Sequence, residues 1–136
     1  MRVVLDTNVL VSALLSPHGL PAQVLQLIVA NKAALCYDSR ILNEYRQVLR
    51  RPKFSFDRHH VDELLDFLES AGQAVACTPL RSALPDTSDH PFLEAALAGY
   101  ADFLITGNLR HFPAKLRAGA TVVTPAEFLQ AFIAIK

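Results

Sequence analysis

The chain contains 136 residues, of which 51% are hydrophobic and 19% are charged, and its formal net charge is zero. A chain of this length buries about two-thirds of its unfolded surface, and this composition excludes a disordered chain and favours a sheet covered on both faces. No apolar run reaches the roughly 18 residues of a membrane span, and Asp6 interrupts the only apolar segment that could serve as a signal peptide. We therefore expect one domain over residues 1–136, no membrane partner and a cytoplasmic location.

A regular alternation of apolar runs and helical patterns extends through the first half of the chain. In chain order it predicts a strand at 3–5, a helix at 8–15 that resumes at Pro21, a strand at 33–37, a helix from Ser39 to Arg50 and a helix at 57–71. The pair Asp38-Ser39 offers an N-cap for the helix that reaches about Arg50, and Gly72 offers a stop for the last helix.

The second half of the chain continues the same pattern. In chain order it predicts a strand at 74–77, a surface loop at 79–91, a helix through Phe92 that ends at Gly99, strands at 103–106 and 121–123, and a final helix from Pro125. Thr124 and Glu127 have the spacing of a capping box at the start of that helix. Its inward face is predicted to consist of Phe128, Leu129, Phe132 and Ile133.

Strands that alternate with helices predict right-handed crossovers and a parallel sheet with helices on both faces. We therefore expect an α/β fold, a three-layer α/β/α sandwich with a central parallel five-stranded sheet. Connections from strand to helix all leave such a sheet at its carboxyl edge, so polar residues in those connections should converge there.

The cysteines and histidines give no indication of a disulfide or a zinc site. Cys36 and Cys77 each lie in a short apolar segment, so we expect both to be reduced, buried strand residues. The five histidines lack the spacing of zinc ligands, and we expect each of them at the solvated surface.

Four acidic residues and one asparagine are predicted to meet at the carboxyl edge. They are Asp6 after the first strand, Glu44 on the helix after the second strand, Asp86 and Asp89 before the helix at Phe92, and Asn108 after the fourth strand. Four carboxylates in one cleft repel one another unless a cation neutralises them. Because carboxylate oxygens suit hard cations, the cluster indicates a site for Mg²⁺ or Mn²⁺.

Each of these residues also has a purely structural interpretation. Asp6, Asp86 and Asp89 have the residue type and position of helix or turn caps. Glu44 could pair with a neighbouring base on a solvated helix face, and Asn108 could cap a turn. The joint placement of all five at one edge favours the functional interpretation.

Basic residues concentrate between positions 40 and 60, whereas residues 61–102 contain eight acidic side chains against Arg81 alone. A basic flank beside an acidic pocket suits a protein that holds cations and contacts phosphates, although two ordinary solvated helix faces give the same pattern. The candidates for phosphate contact are Arg46, Arg50, Arg51, Lys53, Arg110 and Lys115.

Four segments, in the right order along almost the whole chain, resemble PIN domains. They are Leu5-Asp6-Thr7-Asn8, Ile41-Leu42-Asn43-Glu44-Tyr45 with Arg51-Pro52-Lys53-Phe54, Asp86-Thr87-Ser88-Asp89 before Phe92-Leu93-Glu94-Ala95-Ala96, and Leu104-Ile105-Thr106-Gly107-Asn108 with His111-Phe112-Pro113. The resemblance is greatest to the bacterial branch described as toxin components of toxin–antitoxin systems. It implies a PIN-like, Rossmann-like fold and a metal-dependent endoribonuclease that hydrolyses the phosphodiester bonds of RNA.

The resemblance also implies roles for the acidic residues. Asp6, Glu44 and Asp89 would be the catalytic acids around Mg²⁺ or Mn²⁺, and Asp86 would be an auxiliary metal ligand. Family members often have a fourth acid after the fourth strand. This chain has Asn108 there, which leaves the number of bound metals open.

Thr7 and Asn8 would orient Asp6 or the waters of the metal, and Thr106 and Asn108 would line the same edge of the site. The partners that the resemblance implies are an RNA substrate, a cognate antitoxin protein and a second copy of the chain in a homodimer. An alternative is a PIN-like module that binds RNA or protein without cutting. A haloacid-dehalogenase-like phosphatase is disfavoured, since it needs an aspartate where this chain has Asn8.

Overall fold

The computed structural model describes residues 1–135 and contains a five-stranded sheet in which every neighbouring pair of strands is parallel. The strands are β1 (Arg2–Leu5), β2 (Ala34–Tyr37), β3 (Gln73–Ala74), β4 (Phe103–Ile105) and β5 (Val122–Val123). Their order across the sheet is β3-β2-β1-β4-β5, so the chain crosses after β3 to the other side of β1, where β4 and β5 lie. The predicted parallel α/β sheet is confirmed.

Six α-helices accompany the sheet within residues 1–135. They are α1 (Thr7–Leu15), α2 (Leu20–Val29), α3 (Ser39–Leu49), α4 (Arg58–Ala71), α5 (His90–Ala98) and α6 (Pro125–Ile135). The three consecutive side chains of Val3, Val4 and Leu5 in β1 are fully buried. Since neighbouring side chains of a strand point to opposite faces, helices cover both faces of the sheet, as the three-layer prediction requires.

The predicted helix caps are present. Asp38 Oδ1 accepts a hydrogen bond from the backbone N–H of Ile41 at 3.1 Å. In the capping box, Thr124 Oγ1 accepts from the N–H of Glu127 at 3.2 Å, and Glu127 Oε1 accepts from the N–H of Thr124 at 2.9 Å. These bonds satisfy backbone donors that the first turn of a helix leaves free. None of the helices described here is long and apolar enough to cross a membrane.

Two predictions about apolar segments are wrong. The third strand ends at Ala74 rather than at residue 77, because it is an edge strand that pairs only with β2, and Cys77 lies half-buried in the following loop. Ile133 is 73% exposed, and Phe128 is the only residue of α6 that is fully buried among the described residues. Cys36 is buried in β2, as expected.

Gly72 ends α4 for a different reason from the expected one. Its backbone is extended, with φ −83° and ψ −171°, so it does not use the left-handed conformation of a helix stop. A Cβ atom at this position would lie 2.6 Å from the carbonyl oxygen of Leu35 and 2.7 Å from that of Leu68. Glycine is therefore needed because α4 ends in close contact with β2.

Replacement of Gly72 with alanine should lower the free energy of unfolding by about 1–3 kcal/mol, because the added methyl group must displace two backbone carbonyl groups. Chemical denaturation followed by circular dichroism measures the change. The exposed neighbour Gln73 provides the control, and Gln73→Ala should change stability by no more than about 0.5 kcal/mol. A Gly72→Ala protein as stable as the wild type would show that this close contact is relieved without cost.

Candidate metal centre

The two central strands end side by side and bring Asp6 next to Thr106. The backbone N–H of Asp6 donates to the carbonyl of Ile105 at 2.9 Å, one step beyond the last pair of the β1–β4 ladder. The hydroxyl of Thr106 then donates to Asp6 Oδ2 at 2.8 Å. Asp6 and Thr106 are both buried, so Asp6 is held in one orientation at the end of β1.

Asp89 reaches the same place from the start of α5. It is buried, and its Oδ2 has no hydrogen-bond partner, the only buried side-chain oxygen or nitrogen without one among residues 1–135. Its nearest basic group is His111, whose Nδ1 lies 3.4 Å away. Ligand atoms of Asp6, Asp89 and His111 all lie within 4.8 Å of one another.

Asp6 and Asp89 occupy N-cap positions without acting as caps. Neither side chain makes a capping hydrogen bond, whereas Asp38 and Asp57 at the starts of α3 and α4 both do. A buried carboxylate at a helix start that leaves the nearby N–H groups unbonded is directed elsewhere. The capping interpretation of Asp89 therefore fails. Asp6 makes no capping hydrogen bond of normal geometry, although the N–H groups of Thr7 and Asn8 still lower its pKa, and both carboxylates belong to the cluster at the sheet edge.

Glu44 lies half-buried on α3 and borders this cluster. The hydroxyl of Thr7 donates to Glu44 Oε2, so Thr7 orients Glu44 rather than Asp6. The adjacent Tyr45 is fully buried, and its hydroxyl donates to the carbonyl of Leu5 at 2.5 Å. This bond ties α3 to the end of β1 and sets the position of Glu44.

Asp86 lies exposed at the mouth of the site, in the turn before α5. Its Oδ1 accepts from the N–H of Ser88 at 2.9 Å and from the Ser88 hydroxyl at 2.8 Å. These bonds hold the pKa of Asp86 below its usual range. Asp86 thus caps the turn, and its second oxygen is not used by these bonds.

Burial and repulsion make the two deepest acids hard to ionise. Burial raises the pKa of Asp89 to about 6, and the charges of Asp6 and Asp86 add to the rise. Burial also raises the pKa of Asp6, an effect that the Thr106 hydroxyl partly offsets. The charge of His111 offsets only part of this rise in either acid.

Glu44 shares this environment. Burial raises its pKa, and the hydroxyl of Thr7 and the charge of Arg51 partly offset the effect of burial and of repulsion from Asp6. The three acids thus form one electrostatic unit, although Glu44 lies outside the tightest group of ligand atoms.

The two asparagines organise the loop that follows β4. Asn8 Oδ1 accepts from the N–H of Gly107 at 3.1 Å, so the side chain of Asn8 holds the loop. The N–H of Asn108 donates to Thr106 Oγ1 at 3.1 Å, and Asn108 Oδ1 accepts from the N–H of Arg110 at 3.1 Å. Thr106 and Asn108 therefore belong to one bonded chain that begins at Asp6.

His111 is a site residue that the sequence reasoning missed. It was expected at the surface, but it is half-buried beside Asp89, and its Nε2 lies 3.0 Å from Asn108 Nδ2. His90 also departs from the expectation, because its Nε2 accepts from the N–H of Leu84 at 3.0 Å. The available signal for His111 was its position three residues after Asn108.

The structure separates the six basic candidates into different places. Arg51 lies close enough to Glu44 to lower its pKa, and the exposed Arg110 is bonded through its backbone N–H to Asn108. Arg50 instead pairs with Asp62 at 2.8 Å, with Arg46 nearby. Lys53 lies over the ring of Phe54, and Lys115 lines a separate cleft of about 450 Å³.

Comparison with known proteins gives the family. The family model described as PIN domain matches residues 2–110. This chain belongs to the PIN domain family. The uncharacterized protein MJ1680 from Methanocaldococcus jannaschii is 28% identical to this PIN domain over 143 aligned positions, which cover 97% of this chain and 92% of the relative.

Solved structures share the fold of this PIN domain at low sequence identity. VapBC2 from Rickettsia felis, bound to a DNA fragment from its promoter, matches with a TM-score of 0.61 and 19% identity over 91% of this chain and 98% of that chain. PAE2754 from Pyrobaculum aerophilum has a TM-score of 0.61 and 16% identity over 98% and 90%. FitAcB from Neisseria gonorrhoeae has a TM-score of 0.60 and 16% identity over 91% and 98%.

The residues of this PIN domain fit a hard divalent cation. Asp6 and Asp89 are buried together without a basic partner at salt-bridge distance other than His111, within the part of the chain that is described. The unpaired Asp89 Oδ2 supplies an oxygen ligand that no protein group uses. Carboxylate oxygens are the ligands that Mg²⁺ and Mn²⁺ prefer.

In the metal-free PIN domain, Asp89→Asn should be more stable than the wild type above about pH 6, the value to which burial raises the pKa of Asp89. The folded state holds the Asp89 proton more tightly than the unfolded state does. The wild type therefore loses stability as the pH rises from the ordinary pKa of an aspartate to the raised pKa of Asp89 in the folded protein. Asp89→Asn has no carboxyl group to ionise, so it does not lose stability in this way.

Thermal melting in EDTA across the pH range measures the difference between the two midpoints. The difference should be near zero below about pH 4, where Asp89 is protonated in both states. It should reach its largest value above about pH 6. A difference that is independent of pH would show that the Asp89 carboxylate is already compensated in the folded protein.

Proposed function

We propose that this PIN domain is a Mg²⁺- or Mn²⁺-dependent endoribonuclease in which Asp6, Glu44 and Asp89 are the catalytic acids. The observation that carries the proposal is the burial of Asp6 and Asp89 side by side, with one oxygen of Asp89 unpaired. A stable fold retains such an arrangement only where a ligand compensates its cost. Membership of the PIN domain family supports the same conclusion.

Asp6 and Asp89 would hold the cation, and Glu44 and Asp86 border the same site. When bound, the cation would supply charge stabilisation at the scissile phosphate and a more acidic bound water. The Thr106 hydroxyl fixes Asp6, and the Thr7 hydroxyl fixes Glu44, so both carboxylates are oriented before any ligand arrives. Orientation of this kind reduces the reorganisation that a hydrolytic reaction requires.

An RNA substrate would meet the exposed side chain of Arg51 near Glu44 and the exposed Arg110 next to the Asn108 loop. Cationic side chains at these positions suit the phosphates that flank a bond held at Asp6 and Asp89. Arg46, Arg50, Lys53 and Lys115 would contact only more distant parts of a longer RNA, because they lie beside Asp62, over Phe54 or in the separate cleft.

The protein would act as the toxin of a toxin–antitoxin pair, with a cognate antitoxin as its partner. VapBC2 and FitAcB, which share its fold, are toxin–antitoxin complexes. A homodimer would cover exposed apolar side chains of α2 and α6, among them Leu20, Val29 and Ile133. The free thiols of Cys36 and Cys77 suit the reducing cytoplasm, where its RNA substrate would be found.

The purified protein should cleave labelled RNA in Mg²⁺ or Mn²⁺ and should be inactive in EDTA. Asp6→Asn and Glu44→Gln should each lower the rate by at least about 100-fold, because even groups that merely support a metal ligand contribute 10–100-fold. Gel electrophoresis of the products measures cleavage. Asp66→Asn is the matched control, since Asp66 is an exposed acid on α4, and it should leave the rate unchanged.

Two outcomes would contradict this proposal. Cleavage that persists in EDTA or in the Asp6→Asn protein would indicate a contaminating nuclease or a different site. Binding of RNA without cleavage in both metals would instead support a PIN domain that binds without cutting. Circular dichroism of each variant separates loss of chemistry from loss of folding.

Arg51→Ala should weaken RNA binding and reduce the dependence of binding on salt, because the variant neutralises one phosphate fewer. For a single-stranded RNA, the slope of log K against log salt concentration should decrease in magnitude by about 0.7. Fluorescence anisotropy in EDTA measures binding without cleavage. Lys32→Ala at the opposite edge of the sheet should leave the slope unchanged, and equal slopes for wild type and Arg51→Ala would remove Arg51 from the interface.

A further inference from the structure

The amide group of Asn108 has only one orientation that satisfies both of its neighbours. The backbone N–H of Arg110 is a donor and lies 3.1 Å from Asn108 Oδ1, so that atom must be the amide oxygen. The other end of the amide is then the NH₂ group, which faces His111 Nε2 at 3.0 Å. A rotated amide would place two donors against each other at Arg110.

This orientation determines which nitrogen of His111 carries the proton. An NH₂ group has no lone pair to offer, so Nε2 of the neutral imidazole must be the acceptor. The proton of the neutral ring is therefore on Nδ1, the nitrogen that lies 3.4 Å from Asp89 Oδ2. A nitrogen that carries a proton has no lone pair for a metal ion.

We propose that Asn108 holds His111 in the Nδ1–H tautomer, so that His111 orients Asp89 and does not ligate the cation. His111 is then a positioning residue, and the site offers oxygen ligands alone. The inference rests on the proposed metal site and deepens it. Asp6, Asp89 and His111 together have the composition of a site for zinc or iron, but the tautomer restricts the site to hard cations.

The separation between His111 and Asp89 is compatible with this role. At 3.4 Å, the contact is longer than a normal hydrogen bond, so Asp89 Oδ2 keeps its capacity to bind a cation. The Nδ1–H group of His111 still attracts the Asp89 carboxylate and so favours one orientation of it. Metal-ligating carboxylates are commonly oriented by such outer contacts, and their loss costs about 10–100-fold in metal affinity.

The first test is independent of metal and of RNA cleavage. Long-range ¹H–¹⁵N NMR of the metal-free protein, at a pH where the imidazole is neutral, distinguishes a protonated Nδ1 from a protonated Nε2. The wild type should show the proton on Nδ1. In Asn108→Asp, one carboxylate oxygen still accepts from Arg110 and the other accepts from Nε2–H, so the proton should move to Nε2. A wild-type proton on Nε2, or an unchanged tautomer in Asn108→Asp, would overturn the proposal.

The second test measures cation selectivity by calorimetry. Asn108→Asp exposes the Nδ1 lone pair to the site, so the affinity for Zn²⁺ relative to Mn²⁺ should rise by at least about tenfold. A new carboxylate alone would raise both affinities. The double variant Asn108→Asp/His111→Leu should therefore lose the rise in the ratio, and a ratio that stays high without His111 would contradict the inference.

The third test separates positioning from simple packing. His111→Leu should weaken Mn²⁺ binding by about 10–100-fold. His111→Asn, whose amide nitrogen takes the place of Nδ1–H, should restore most of the affinity despite its smaller side chain. Equal losses in both variants would indicate a packing role. If the wild type shows the predicted tautomer but does not cleave RNA, the proposed nuclease function fails while the assignment of His111 stands.

Discussion

The pairing of β1 with β4 is the constraint on which the candidate site depends. Its register sets Leu5 against Ile105, and one further backbone bond from Asp6 to Ile105 brings Asp6 beside Thr106. The other parts of the site are attached to the same two strand ends. Tyr45 binds the carbonyl of Leu5 and positions α3, while Asn8 binds the loop after β4. A shift of one residue in this register would turn the side chains of one strand to the opposite face and dismantle the cluster.

Two equally buried acids, Glu94 and Asp89, differ in how far neighbouring groups compensate their charge. Glu94 is as buried as Asp89, but it pairs with Arg40 at 2.8 Å and accepts from the N–H of Leu80 at 3.1 Å. Asp89 has only the distant His111, and its pKa is raised to about 6. Leaving a buried charge without a partner lowers stability. This contrast between two equally buried acids supports the proposal that a ligand completes the arrangement at Asp89.

Much of the fold and part of the site could be predicted from the sequence. Apolar runs and caps such as Asp38 are local signals, and the parallel sheet follows from their alternation, so Asp6 and Asp89 could be assigned to one edge. The shortness of the edge strand β3 and the exposure of Ile133 could not be predicted, because tertiary contacts determine both. His111 lies on a short 3₁₀ turn without an apolar pattern, so its spacing of three from Asn108 is the one local signal of where it points. The pairing of Arg50 with Asp62 had a local signal that the sequence reasoning missed. Arg50 lies four residues after Arg46, and this spacing places both on the face of the helix towards Asp62.

Charge balance connects Asn108 with the chemistry proposed for the site. The two deepest carboxylates, Asp6 and Asp89, carry two negative charges, which a single divalent cation neutralises. The remaining acids have compensation of their own, since Arg51 stands near Glu44 and Ser88 donates twice to Asp86. A neutral amide at position 108 adds no charge for a second cation to balance, and it uses its two ends to fix the loop and His111. Under the proposed function, the residue at 108 would therefore influence how many cations the site can hold and whether Nδ1 of His111, the nitrogen that faces Asp89, carries a proton.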